Sequence, residues 1–156
     1  MNEIASSEWN AFCNMSASMG VRHYKELFAW QLGEELKREV YRILRSSTEA
    51  WRDYGYRRQV VEAMRSVPAN VAEGFRRCSP ADFMRFLDYS MGSLGETETH
   101  LLDGIDQGYF AADDCQKAFR LAARCGKACN RLKQSQARYL EERKARQRKP
   151  NRNRQT

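Results

Sequence analysis

Apolar residues that recur every fourth position are the feature that most constrains how this chain folds. Across residues 22–45, charged residues fill many of the positions between the apolar ones, which are Phe28, Leu32, Leu36, Val40 and Leu44. This spacing places the apolar side chains on one face of an α-helix and leaves the charged side chains in water. At 1.5 Å per residue the predicted helix is about 35 Å long, which is typical of a bundle helix.

A second apolar stripe predicts a helix over residues 56–77 with a proline inside it. Pro68 removes a backbone donor and crowds the carbonyl group four residues earlier, so we expect a kink near Ser66. The apolar spacing continues across the proline, which argues against a break. The short polar side chains of Ser66 and Asn70 can satisfy the backbone groups that the bend frees. An alternative interpretation, a polar pocket of Ser66, Asn70 and Glu73, lacks a nearby base or metal ligand.

The third predicted helix has the clearest start. Ser79 is a suitable N-cap, Pro80 fits the first helical position and Asp82 places a negative charge in the first turn. Apolar residues follow one face to about residue 106, where Gly108 is placed to end the helix. The sequence therefore predicts a helix over residues 80–106.

Two glycines inside the third helix predict a close contact with another helix. An interior glycine destabilises a helix by about 1 kcal/mol relative to alanine, so a compensating feature is expected. Without a β-carbon, Gly92 and Gly95 allow another backbone to approach closely. We therefore expect a tight helix crossing beside these two residues.

A fourth helix, from residue 111 or 113 to at least residue 142, carries a narrower apolar stripe flanked by basic residues. Short connections join the four predicted helices, and such connections make successive helices antiparallel neighbours. The expected fold is all-α: an up-down-up-down antiparallel four-helix bundle over residues 22–142, with its second helix kinked at the proline.

The net charge of +7 is concentrated at the end of the chain. Residues 143–156 contain seven basic residues and no acid, whereas residues 1–142 contain 20 of each sign. We therefore expect residues 143–156 to form a basic disordered tail and residues 1–21 to form a flexible leader. A cationic arm releases counterions from any phosphate backbone, but it can equally serve as a solubilising tail.

Composition indicates a single cytoplasmic domain. A chain of 156 residues with 42% hydrophobic and 30% charged residues fits neither a membrane protein nor a wholly disordered one. The odd count of five cysteines argues against a disulfide framework. Glu3 and Glu8 stand where a signal peptide needs positive charge, and no apolar stretch reaches the length of a membrane span. We therefore expect a cytoplasmic protein with reduced thiols that does not associate with membranes.

The sequence lacks the residue patterns that catalysis or metal binding in a helical bundle requires. Its two histidines, His23 and His100, have no glutamate three residues before them, which excludes the di-iron bundle motif. A nucleophile elbow and a phosphate loop are also missing. Cys125 and Cys129 share a helix face, but a zinc site needs two further ligands. We expect no enzymatic activity, no cofactor and no metal.

Two longer motifs carry a resemblance to a known family. The segments SVPANVAEG (66–74) and GSLGETETHL (92–101) resemble the four-helix bundle proteins encoded in intervening sequences of bacterial large-subunit ribosomal RNA, over residues 23–135. The motif residues that we assign a structural role are Ser66, Pro68, Asn70, Glu73, Gly74, Gly92, Ser93, Gly95 and Glu96.

This resemblance implies a small cytosolic bacterial bundle that assembles as a homopentamer. It also implies a relationship in fold to the accessory variability protein of diversity-generating retroelements, which binds nucleic acid and a reverse transcriptase. Most members of the family have no established biochemical activity. The resemblance therefore informs the expected fold and assembly more than the function.

Two functions from different classes remain open at this stage. The first is a nucleic-acid-binding oligomer, whose repeated cationic surfaces strengthen a weak contact. The second is a protein-interaction or structural scaffold with no nucleic-acid binding, in which Trp30 and Trp51 dock a partner. For any single cation, a solvated and acid-paired helix face is the simpler interpretation. The candidate contacts for RNA or DNA are Arg120, Arg124, Lys127 and Arg131, the tail residues Arg143, Lys144, Arg146, Arg148 and Lys149, and a second cluster of Arg57, Arg58, Arg76 and Arg77.

Overall fold

Helices make up nearly all of the chain that the structure describes. The computed structural model describes residues 20–77 and 79–148. No strand occurs within these ranges, which confirms the all-α prediction, and none of their helices is both long and apolar enough to cross a membrane. A 3-10 turn at Tyr24–Glu26 precedes α1 (Phe28–Ser46), α2 (Thr48–Arg52), α3 (Tyr54–Arg76), α4 (Pro80–Asp106) and α5 (Ala112–Arg148).

The four long helices form a bundle in which each packs against two others. Helix α1 contacts α3 and α5, and α4 contacts the same two helices. Contacts between α3 and α4 progress in opposite directions along the chain. At one end the Tyr56 hydroxyl donates to the carbonyl oxygen of His100 at 2.8 Å, and near the middle the Ser90 hydroxyl donates to that of Val67 at 2.9 Å. These two helices therefore run antiparallel.

The predicted apolar stripes fill the space between the long helices. Phe28, the first residue of α1, and Leu102 of α4 are exceptions, with exposed fractions of 56% and 53%. Their predicted places in the core are wrong, because apolar spacing identifies one face of a helix but not which part of that face another helix covers. Side chains that are exposed by 5% or less include Leu32, Leu36, Val40, Leu44, Val60, Met64, Val67, Val71, Phe75, Phe83, Leu87, Leu94, Leu101 and Leu121.

The first long helix begins six residues later than predicted. The His23 ring accepts a hydrogen bond from the Lys25 amide at 3.1 Å and so caps the short 3-10 turn. Leu27 then adopts an extended conformation, and α1 starts at Phe28. The capping histidine interrupts the helix locally, which an apolar spacing does not reveal.

The polar stretch between the first two predicted helices contains a short helix of its own. Ser47 caps α2 by accepting a hydrogen bond from the Ala50 amide at 3.2 Å. Asp53 caps α3 in the same way through the Tyr56 amide at 3.0 Å. Short polar residues at N-caps therefore set both starts, and α3 begins two residues before the predicted position.

Helix α3 continues through Pro68 without interruption. Pro68 is buried and packs on α1, where a β-carbon placed on Gly33 would lie 3.3 Å from the proline Cβ. The Ser66 hydroxyl donates to the carbonyl oxygen of Glu62 at 2.8 Å. Pro68 has no amide hydrogen to donate to the carbonyl oxygen of Met64. The carbonyl of Glu62 lies two residues before that of Met64. The kink itself stays a prediction.

The close helix contact predicted at Gly92 and Gly95 is wrong. Both residues are exposed, and a β-carbon at either would meet no neighbouring atom within 4 Å. Close approaches occur instead at other glycines of α3 and α4. A β-carbon on Gly74 would lie 2.6 Å from that of Phe86, and one on Gly104 would overlap the hydroxyl of Tyr56. A glycine in a helix allows another helix or side chain to approach closely. Whether such an approach occurs depends on where the neighbouring helix lies.

The fourth predicted helix extends further than expected. Helix α5 includes residues 143–148, which the sequence assigned to a disordered tail. These residues are arginine, lysine, alanine and glutamine, all strong helix formers, and positive charge in a last turn is favoured by the helix dipole. Residues 149–156, including Lys149, and residues 1–19 of the leader lie outside the described part of the chain.

A buried carboxylate joins α1 to α5. Glu39 is only 4% exposed, and its oxygens lie 2.6 Å from Arg42 and 3.0 Å from Lys117. Burial by itself would raise the pKa of Glu39, but the hydrogen bonds and charges of these two cations outweigh burial and hold the pKa below its ordinary value. The ionised carboxylate therefore stabilises the folded state.

We expect Glu39→Gln to lower the free energy of unfolding at pH 7 by about 1–2 kcal/mol, because charge-assisted hydrogen bonds are lost. The pKa of Glu39 is lower in the folded than in the unfolded chain. The wild-type advantage is therefore complete above the unfolded pKa of about 4.3 and is lost as the pH falls through the folded pKa. Urea unfolding of both proteins at pH 7 and pH 3 measures this difference. The exposed pair of Glu73 and Arg77 supplies the control, Glu73→Gln, and an equal loss in both variants would contradict the role of burial.

Candidate nucleic-acid interface

A surface groove between the start of α1 and the middle of α5 brings three of the predicted nucleic-acid contacts together. Arg124, Lys127 and Arg131 are spaced three and four residues apart, which places them on one face of α5. The groove has a volume of about 440 Å³. We term this surface the basic groove, and its lining residues are Phe28, Ala29, Arg124, Lys127, Ala128, Arg131 and Leu132.

The other lining residues of the basic groove are apolar, and an aromatic ring stands among them. The guanidinium carbon of Arg124 lies over the ring of Phe28, 5.8 Å from its centroid. Ala29 and Ala128 are small and buried, which leaves space between α1 and α5. The Cys125 thiol donates to the carbonyl oxygen of Ala29 at 3.3 Å and so holds the first turn of α1 against α5. The backbone next to Phe28 is therefore tied to α5.

Among the residues that the structure describes, no acidic side chain lines the basic groove. Its lining contains three cations and no aspartate or glutamate. Within residues 20–77 and 79–148, none of these cations forms an ion pair, whereas Lys133 pairs with Asp88 and Lys144 pairs with Glu141 at 3.0 Å. The groove therefore presents a local surplus of positive charge, although residues 1–142 are neutral as a whole.

Arg120 lies one turn before the basic groove on the same helix. Its side chain is exposed but does not line the groove. Because Arg120 and Arg124 are four residues apart, their side chains are neighbours on the surface of α5. Arg120 therefore extends the positive charge beyond one end of the groove.

The second predicted cluster does not form a single surface. Arg57 and Arg76 lie near opposite ends of α3, about 28 Å apart along the helix axis. Arg57 stacks over Trp51 at 4.8 Å and donates to its carbonyl oxygen, whereas Arg76 lies over Tyr24 at 5.2 Å. The rise of a helix already excludes one cluster here, so this prediction could have been corrected from the sequence.

Arg58 and Arg77, which follow Arg57 and Arg76 in the sequence, make different contacts. Arg58 is exposed on the first turns of α3. Arg77 pairs with Glu73 at 2.5 Å and lies over the ring of Phe86. The hydrogen bond with Glu73 raises the pKa of Arg77. Arg77 is thus the acid-paired surface cation that the simpler interpretation predicts.

The last turns of α5 carry the remaining predicted cations that the structure describes. Arg143 and Lys144 begin about 18 Å beyond Arg131 along the helix axis. Arg143 and Arg146 line a small cleft of about 90 Å³ with Tyr139 and Glu142. The backbone of Arg148 ends the helix. These cations therefore form a region separate from the basic groove.

The two family motifs lie on α3 and α4 and serve packing more than chemistry. Pro68 packs on α1, and Gly74 lies against the Cβ of Phe86 and the ring of Phe83. Ser93 is buried, whereas Glu96 is exposed beside the two exposed glycines. None of these motif residues lines the basic groove.

The alternative polar pocket at the proline is not assembled by its three residues. The Ser66 hydroxyl bonds within α3 to Glu62, and Glu73 pairs with Arg77. Asn70 is half-buried on the same helix. The side chains of Ser66 and Glu73 therefore bond within their own helix or at its end, without converging on a shared cavity.

The two tryptophans of the scaffold hypothesis differ in exposure. Trp30 is half-buried and meets the Tyr24 ring edge-on at a centroid distance of 5.4 Å. Trp51 is 38% exposed, with the guanidinium groups of Arg45 and Arg57 near its ring. Trp51 is thus the better placed of the two to meet a partner.

The cysteine pair of α5 lies in the interior. Cys125 and Cys129 are both buried free thiols. Among the described residues, no group of three histidine, cysteine, aspartate or glutamate side chains is arranged to hold a metal ion. The hydrogen bond of Cys125 to α1 gives this residue a packing role.

Comparison with known proteins identifies the family. The model of the 23S rRNA-intervening sequence protein family matches residues 25–142, about three quarters of the chain. The chain therefore belongs to this family. The matched region contains Phe28 and all three cations of the basic groove, and it ends before the last turns of α5. A comparison with curated proteins finds no match.

Proposed function

We propose that this protein is a non-enzymatic cytosolic bundle that binds RNA or DNA through the basic groove, with the end of α5 as an additional contact. It acts as a ring-like homopentamer, so that each contact is repeated around the assembly. The observation that carries this proposal is the convergence of Arg124, Lys127 and Arg131 around Phe28 with no acid in the lining. Unneutralised cations beside an aromatic ring suit a ligand that combines phosphates with bases.

Removing the three groove cations should make binding both weaker and less dependent on salt. Each phosphate contact on a single strand contributes about −0.7 to the slope of log K against log salt. We therefore expect the triple variant Arg124→Ala, Lys127→Ala, Arg131→Ala to lose about 2 from the magnitude of that slope. Fluorescence anisotropy with single-stranded RNA, duplex RNA and duplex DNA between about 50 and 200 mM salt measures this change.

A matched control separates the groove from general positive charge. Arg38, Arg52 and Arg65 are exposed, do not line the basic groove and form no ion pair within the described chain. Replacing all three by alanine removes the same charge and should leave the salt slope unchanged. Equal losses in both triple variants would show that net charge, and not the basic groove, causes binding.

A truncation after Glu142 tests the end of α5. If the truncated protein loses all affinity while the groove variant keeps it, the last turns and the tail carry binding and the groove does not. Retained, salt-dependent binding by the truncated protein supports the groove. If the full-length protein fails to bind at low salt, the nucleic-acid proposal is wrong.

The pentamer is proposed from the family resemblance and from apolar surface that a single bundle leaves uncovered. Tyr54 is 68% exposed, Tyr89 is 52% exposed and Leu102 is 53% exposed. Light scattering at micromolar concentration should give a mass of about 90 kDa, five copies of the 18.2-kDa chain. A mass equal to one chain would contradict this proposal.

The second candidate function is a protein-interaction scaffold without nucleic-acid binding. It is favoured by the exposed aromatic pair Trp51 and Tyr54, which lies apart from the basic groove near Arg57. Docking through apolar surface depends only weakly on salt, whereas phosphate binding weakens steeply between about 50 and 200 mM. The same salt series therefore distinguishes the two functions.

A further inference from the structure

We propose that the basic groove recognises single-stranded nucleic acid by stacking one unpaired base on the ring of Phe28, while Arg124, Lys127 and Arg131 contact the flanking phosphates. This inference rests on the proposed function and adds the class of ligand. It assigns a recognition role to a side chain that the core does not use.

The exposure of Phe28 is the first observation behind this proposal. More than half of its side-chain surface faces water, whereas the next apolar residues on the same stripe, Leu32 and Leu36, are buried. The other apolar residues that line the groove are Ala29 and Ala128, which are small and buried, and Leu132, which is half-buried. Aromatic rings placed in this way beside cations are the usual stacking platforms for unpaired bases.

The position of Arg124 indicates which part of the ring is available. Its guanidinium carbon lies over the ring at 5.8 Å from the centroid, so the face of Phe28 is turned toward the basic groove. This distance is close to the outer limit of about 6 Å for a cation–π contact, and the contact is therefore weak. A base can displace the guanidinium group, which then bonds a phosphate of the same strand.

The arrangement favours a single strand over a duplex. Each base of a duplex is covered on both faces by its neighbours, so the Phe28 ring can stack only on a base that is unstacked or splayed out. A volume of about 440 Å³ is within the range of pockets that enclose small ligands. The three cations extend about 10 Å along α5, so they are able to contact successive phosphates of one extended strand.

The experiment uses the full-length protein and a single-stranded RNA of about 12 nucleotides with 2-aminopurine near its centre. Paired RNA of the same sequence and the corresponding single-stranded DNA complete the set of probes. We expect stacking to quench the 2-aminopurine fluorescence and Phe28→Ala to weaken single-strand binding by about 5- to 100-fold. Phe28→Trp should retain the affinity and the quenching.

Two controls test whether the effect of Phe28→Ala on affinity is specific to the loss of stacking in the groove. Trp51 is 38% exposed on α2, outside the groove lining, so Trp51→Ala should leave single-strand affinity unchanged. The salt slope should be the same for Phe28→Ala and the wild type, because a phenyl ring contacts no phosphate. A changed slope in Phe28→Ala would show that the groove is distorted and would overturn the stacking assignment.

The remaining outcomes separate this inference from the proposed function. If the groove triple variant loses salt slope but Phe28→Ala binds normally, or if paired RNA binds as tightly as the single strand, stacking is wrong and the proposed function stands. If the wild type binds none of these probes, both the stacking assignment and the proposed nucleic-acid binding are wrong. Displacement of the RNA by a glutamate-rich peptide that itself requires Phe28 would identify an acidic protein partner and overturn the stacking assignment.

Discussion

Gly104→Ala will lower the free energy of unfolding by about 2–3 kcal/mol and the melting temperature by about 5–10 °C. A β-carbon at residue 104 overlaps the hydroxyl of Tyr56 and lies 2.6 Å from the ring of Phe110. The Tyr56 side chain cannot retreat without cost, because its hydroxyl donates to the carbonyl oxygen of His100 at 2.8 Å and its ring is buried. Thermal and urea unfolding, followed by circular dichroism, measure the loss.

The matched control for this substitution is Gly92→Ala in the same helix. Gly92 is exposed, and a β-carbon at this position would have no neighbouring atom within 4 Å, so alanine should stabilise the helix by up to about 1 kcal/mol. The two substitutions are chemically identical and opposite in expected sign. An increase in stability for both would contradict the close packing of α4 against Tyr56 and Phe110.

Phe83→Ala should produce the larger loss, about 3–5 kcal/mol. The Phe83 side chain is fully buried and meets the Phe75 ring edge-on, with ring centroids 6.2 Å apart. Removing the ring leaves a cavity between α3 and α4 that the two helices cannot close completely. The change is measured as the shift of the urea unfolding midpoint at constant slope.

Phe28→Ala is the control for the loss of a phenyl ring. Because Phe28 is 56% exposed, its removal should change the free energy of unfolding by less than about 0.5 kcal/mol. Similar losses in the two variants would show that the first turn of α1 is packed as tightly as the core. The same measurement establishes that the binding defect expected of Phe28→Ala does not arise from unfolding.

The helices were predictable because their apolar spacing is determined by the geometry of a helix. Leu32, Leu36 and Leu44 are buried because a stripe of this width must face other helices. The same spacing included Phe28, which is exposed, since the pattern contains no information on where the neighbouring helix ends. Helix starts shifted for a different reason: local caps such as His23 and Asp53 act through single hydrogen bonds.

Glycine was the least predictable residue type in this fold. Gly92 and Gly104 lie in one helix and are equivalent by composition, yet one is open to water and the other lies against Tyr56 and Phe110. The two glycines differ because Tyr56 of α3 and Phe110, which follows α4, pack against Gly104 and not against Gly92. The prediction of a close contact in α4 was therefore reasonable, but the position of that contact depends on tertiary structure.

The candidate site was predictable only in part. The spacing of Arg124, Lys127 and Arg131 places them on one face of a helix, which the sequence alone indicates. Their proximity to Phe28, almost a hundred residues earlier, requires the packing of α1 against α5. Sequence reasoning assigned Phe28 to the core and therefore missed the aromatic member of the groove.

If the proposed function holds, the helical continuation of α5 through residues 143–148 gives the two cationic regions different kinetic roles. Successive residues of a helix point about 100° apart, so Arg143, Lys144 and Arg146 project in several directions from an exposed end. Such a field accelerates the encounter with a polyanion from many approach angles, without selecting one bound orientation. Under the proposed function, the basic groove, which faces one way, would instead determine how long a bound strand remains. The end of α5 would then act on the association rate and the groove on the dissociation rate.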